Sequence, residues 1–130
     1  MKNIRFIDCG ANIPQNIKIL KEKYSNEKNI TIHEKAVSIT DGHLEFYCQT
    51  WGARTGSSLV KGKKSTSESI AVETINLSKW IIENINEDEI PVLKIDIEGS
   101  EYEVLPHLFE NKIHKIIDYW LIEFHPSSKV

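Results

Sequence analysis

The stretch PVLKIDIEGSEYEVL, Pro91 to Leu105, constrains this chain most. PVLKIDI is a short apolar run bounded by a turn, so it reads as a buried strand. Gly99 turns the chain. GSEYEVLPHLFE then opens a helix whose start carries the Ser100–Glu103 spacing of a capping box. A strand passing directly into a helix is the building unit of a parallel α/β sheet.

The unit recurs. IRFID (Ile4–Asp8) is a second apolar run ended by a turn. After it Asn12 can cap a helix, Pro14 suits a first helical turn, and Ile13, Ile17, Leu20 and Tyr24 share one face, which predicts a helix over 14–24. ITIHEKAVSI (Ile30–Ile39) is β-branched and strand-like. Asp41-Gly42 signals a hairpin returning through HLEFYCQ, with Leu44, Phe46 and Cys48 on one side. SIAVETI (Ser69–Ile75) alternates as a strand. Asn76 can cap a helix from Leu77 to about Ile85, with Leu77, Trp80 and Ile81 inward. IIDYWLIEFH (Ile116–His125) is another strongly apolar strand. The expected fold is one α/β domain over residues 1–130, a mainly parallel sheet with a β-hairpin insertion.

A net charge of −3 gives no reason to expect a nucleic-acid partner. The basic cluster KGKKSTSES (Lys61–Ser69) is short and serine-rich and reads as a solvated loop. No apolar run approaches the roughly 20 residues of a membrane span, and no signal peptide precedes the first strand. Cys9 and Cys48 lack metal-ligand spacing and read as reduced, partly buried thiols, which suits a cytoplasmic location.

Open α/β sheets bind ligands outside the carboxyl ends of their strands. Those ends carry Asp8, Gly10 and Asn12, then Asp96, Glu98 and Gly99, then Glu123 and His125. Like charges gathered at one sheet edge repel, so this clustering points to a site rather than to scaffold. Gly10 either lets backbone approach an anionic group at a helix N-terminus or merely permits a tight turn. The Gly-x-Gly-x-x-Gly pattern is absent, which disfavours a nicotinamide oxidoreductase. Asp96 and Glu98, two apart at a strand end, need a partner or a ligand. The helix N-terminus explains Glu103, and Glu101 either favours that terminus or belongs to the same group of acids. His125 is either a base or a surface histidine past a strand end. Trp51 either stacks on a ligand ring or covers the core.

Taken in order, FIDCGAN, HEKAVSITDGHLEFY, GSSL, VETINLSKWI, LKIDIEGSEYEVL and LIEFH span about Ile4 to His125. This series resembles the FkbM family of S-adenosylmethionine-dependent methyltransferases. The resemblance implies a Rossmann-like class I methyltransferase fold, S-adenosylmethionine as cofactor, and O-methylation of a small-molecule or sugar hydroxyl. By position, Asp8, Gly10 and Asn12 resemble the first cofactor motif, around the methionine end. Asp96 resembles the strand-end acid near the reacting methyl. Glu98, Glu101 and His125 resemble the polar rim of the substrate side. Asp96 then stands closest to the chemistry, with His125 or Glu98 as the base. A sulfonium methyl needs no metal for activation, although Asp96, Glu98 and Glu123 could gather a hard cation.

Pro14 stands where the family's loop carries glycine. The strand–helix unit that follows the family's first helix, about 20–30 residues, is expected to be missing, as are the closing antiparallel strands. A right-handed crossover would then set ITIHE beside the first strand. Glu34, 24 residues after Gly10, becomes either the ribose-binding acid or a solvent-facing strand residue. Exposed sheet edges would invite a homodimer. The alternative function is a minimised, non-catalytic relative with weak or no cofactor binding.

Overall fold

The computed structural model describes residues 2–10, 14–49 and 66–126. Asn12, Trp51 and Lys61–Lys64 lie outside the described residues, as does the side chain of Cys48. The elements run β1 (Asn3–Gly10), α1 (Pro14–Lys23), β2 (Ala36–Ser38), β3 (Gly42–Gln49), β4 (Thr66–Asn76), α2 (Leu77–Asn84), β5 (Glu89–Asp96), α3 (Glu101–Glu110) and β6 (Tyr119–Ile122). One 3-10 turn, Ile113–Lys115, lies between α3 and β6.

The strand–helix units read from the sequence assemble into a parallel sheet of order β1-β5-β6. Its central strand alternates: Leu93 and Ile95 are fully buried, while Val92, Lys94 and Asp96 on the other face are partly exposed. Leu93 and Ile95 pack with Leu77 and Ile81 of α2 and Val104, Leu105 and Leu108 of α3. Ile113 and Ile117 close this core on the way into β6. The opposite face is uncovered at the two edge strands, where Ile4 is 71% exposed and Tyr119 63%. The described residues therefore cover one face of β5 and leave the other open.

Two expectations about the middle of the chain are corrected. Ile30–Lys35 is not a strand; β2 begins only at Ala36 and lies against β4, not β1. The second sheet has the order β2-β4-β3, with β2 parallel and β3 antiparallel to β4. Asp41-Gly42 thus reverses the chain without closing a hairpin between neighbours. The cause is the eleven-residue β4, which pairs on both sides and takes up the turn's polar groups. Thr74 Oγ1 donates to the Thr40 carbonyl at 2.9 Å, and the Asn76 N–H donates to Asp41 Oδ1 at 2.9 Å. That backbone bond, ahead of the nearby Lys79 ammonium, holds the Asp41 carboxyl below its usual range.

α2 starts where its sequence signal says. Asn76 Oδ1 accepts the Lys79 N–H at 3.1 Å. Asn76→Ala is expected to cost about 0.5–2 kcal/mol, read as a lower urea midpoint with unchanged slope. No helix among the described residues is long and apolar enough to cross a membrane.

Candidate active site

The last residue of β5 is Asp96, and the turn that follows is unusual. Ile97 is buried and anchors it, while Glu98 (φ 53°) and Gly99 (φ 105°) both take positive φ. Glycine does so freely; for glutamate the conformation costs on the order of 1–3 kcal/mol and persists only where surrounding contacts enforce it.

The enforcing group is Glu101, the first residue of α3 and fully buried. Its two carboxylate oxygens accept the Gly99 N–H at 3.0 and 3.1 Å. Oε1 also accepts the backbone N–H of His125 at 2.8 Å and lies 3.0 Å from His125 Nδ1. One carboxylate thus ties the β5–α3 turn to the segment leaving β6. The capping box expected from Ser100 and Glu103 does not form, because Ser100 is already helical and makes no side-chain cap. The Ser100 N–H donates to the Ile97 carbonyl at 3.4 Å and the Glu103 N–H to the Ser100 carbonyl at 3.1 Å instead.

With Glu101 facing Nδ1, Nε2 is the ring nitrogen turned toward the other acids. It lies 3.3 Å from Asp96 Oδ1, 3.2 Å from Glu98 Oε1 and 3.8 Å from Glu123 Oε1. The His125 side chain is only 14% exposed, whereas Glu123 is 64% exposed and its charge is screened by solvent. Asp96 Oδ1 is itself buried and, despite its proximity to Nε2, has no hydrogen-bond partner among the described residues.

The sequence-read residues divide as follows. Asp96, Glu98 and His125 converge. Gly10 is paired in register with Asp96, and Asp8 with Lys94, so both stand on the adjacent strand beside them. Gly10 is not demanded by the described backbone. A Cβ there would meet only the Asp96 carbonyl oxygen, at an ordinary 3.9 Å, and its φ is not positive. Asn12 falls outside the described residues. Glu34 lies in an irregular exposed segment with its carboxylate 2.8 Å from Lys21 Nζ, so the strand meant to carry it beside β1 does not exist. Cys9 faces the core, and burial, followed by the Asp8 charge, pushes its thiol up to about 12; it is not a nucleophile.

Sequence reasoning missed the burial of Glu101. Its only local signal is an acid at the first helical position just after a glycine turn. A separate groove of about 330 Å³ lies between β4 and α2. Its charges pair with one another, Lys35 with Glu73 at 3.2 Å and Lys79 with Asp41 at 3.5 Å, and it holds none of the strand-end acids.

The family model of the methyltransferase FkbM domain matches residues 8–129. No curated protein and no solved structure matches the chain.

Proposed function

This chain belongs to the methyltransferase FkbM domain family, and from that premise we propose that it is an S-adenosylmethionine-dependent O-methyltransferase. The proposed acceptor is a small-molecule or sugar hydroxyl, and the proposed frame a single Rossmann-like class I methyltransferase domain. The observation that carries the reading is the convergence of Asp96, Glu98 and His125 beside Asp8 and Gly10 at the carboxyl ends of parallel strands. The residues present suit the cofactor. Asp8, two residues before the end of β1, is exposed, and among the described residues only the Asp96 carbonyl oxygen, at 3.9 Å, lies near the space a Cβ at Gly10 would take.

When bound, the cofactor would supply an electrophilic methyl for transfer to the acceptor oxygen, with its sulfur as the leaving group. Asp8 and Gly10 would hold the methionine end. Asp96 would orient the acceptor. The acceptor proton is lost to the His125–carboxylate group, where Glu101 fixes the ring so that Nε2 is the nitrogen presented. Positioning of this kind supplies several kcal/mol of rate enhancement.

A thermal shift tests the reading. At about 100 times its Kd a ligand adds roughly 2.7 kcal/mol, for this size of domain a rise on the order of 10 °C. Asp8→Ala is expected to abolish the rise produced by S-adenosylmethionine. No rise at millimolar cofactor would sink the proposal, and a rise untouched by Asp8→Ala would move the site elsewhere.

A further inference from the structure

We infer that Asp96, Glu98 and His125 form a site for a divalent cation of the Mn²⁺ type, with Glu101 orienting the imidazole from behind. A donor atom from each of the three lies within 4.8 Å of the others. Three features separate this group from an ordinary patch of acids.

The first is distance. Metal bonds of about 2.0–2.2 Å meeting at 90–109° set neighbouring donors about 2.8–3.6 Å apart. The separations of 3.3 and 3.2 Å from Nε2 to Asp96 and Glu98 fall inside that window. A charge-assisted N–H to carboxylate bond is shorter, about 2.7–2.9 Å. The second is the support of the ring: the buried Glu101 carboxylate lies 3.0 Å from Nδ1, so Nε2 is the nitrogen turned toward both carboxylates. A buried carboxylate behind a ligating histidine is the usual way protein metal sites fix that ring. The third is Asp96 Oδ1, a buried oxygen without a hydrogen bond, which a cation would satisfy.

Two carboxylates and one imidazole suit Mn²⁺ or Zn²⁺ better than an all-oxygen Ca²⁺ site. Three protein ligands leave coordination positions for a substrate oxygen. The catalytic part of the inference rests on the proposed methyl transfer. There the cation would bind the acceptor hydroxyl and acidify it, the proton leaving to solvent past the exposed Glu123; with the cation bound His125 would be a ligand, and its role as base would hold only without one.

The experiment is an Mn²⁺ titration of the whole chain followed by electron paramagnetic resonance, without S-adenosylmethionine, with Zn²⁺ as competitor. One saturable Mn²⁺ per chain is expected. Asp96→Asn and Glu98→Gln should each weaken it at least tenfold with unchanged circular dichroism. Glu101→Gln, which touches no metal, should weaken it about 10–100-fold. No saturable Mn²⁺, or an affinity indifferent to both Asp96→Asn and Glu98→Gln, would overturn the site and assign the gap to a proton on Nε2. Because no cofactor is present, that failure leaves the thermal-shift result standing. Conversely, Mn²⁺ binding without a cofactor shift would keep the site and remove the methyltransferase reading.

Discussion

Glu101→Ala is expected to destabilise the protein by about 3–5 kcal/mol, the cost of emptying one side of a buried charged network. A domain of this kind is held by only about 5–15 kcal/mol in all. The loss has a definite inventory. The Gly99 N–H, the His125 backbone N–H and the His125 ring each lose their acceptor, and Glu101 itself is fully buried. Hydrogen bonds to a charged acceptor are worth about 1.5–3 kcal/mol apiece, though they do not add when they share one carboxylate. The positive φ of Glu98 adds to the effect, because the Gly99 bond helps hold that turn, alongside the Ser100 N–H to Ile97 carbonyl bond at 3.4 Å. Glu101→Gln can keep the Oε1 acceptor for both His125 and the Gly99 N–H but places a donor where Oε2 accepts from Gly99. It should therefore cost less, about 1–3 kcal/mol. Urea unfolding followed at 222 nm reads both. A loss below about 1 kcal/mol for the alanine variant would show that the turn and the β6 exit are held by other contacts.

Glu101 also marks the limit of what local sequence can reveal. The strand ends were legible, because an apolar run that stops at acids announces both a strand and its exposed terminus. Asp96, Glu98 and His125 were legible for the same reason. The burial of Glu101 was not, since its decisive partner, His125, lies 24 residues away and is brought in only by the pairing of β6 with β5. Ile30–Lys35 shows the opposite failure. Ile30 and Ile32 alternate as a strand should, yet Ile30 is 42% exposed and the segment lies against no edge. Period-2 patterning records that a residue could face a core; it does not supply the neighbouring strand. Asp41-Gly42 likewise marked a real reversal, but which strand lay across from it was decided by β4, more than thirty residues further on.

His125→Ala should separate binding from chemistry, with the thermal shift from S-adenosylmethionine retained and kcat lowered about 10²–10⁴-fold. The fold should survive, because alanine keeps the backbone N–H that donates to Glu101 at 2.8 Å and loses only the ring bond. Cofactor contacts should survive too, since Asp8 and Gly10 stand on β1, a different strand. What disappears is Nε2, which faces Asp96 at 3.3 Å and Glu98 at 3.2 Å. If His125 is a base, the residual activity should rise with pH as bulk hydroxide replaces it, and added imidazole should restore part of the rate. If it is a ligand, added Mn²⁺ should restore part of the rate and imidazole should not. A variant that retains full kcat would exclude both roles and reduce His125 to a strut between β6 and α3.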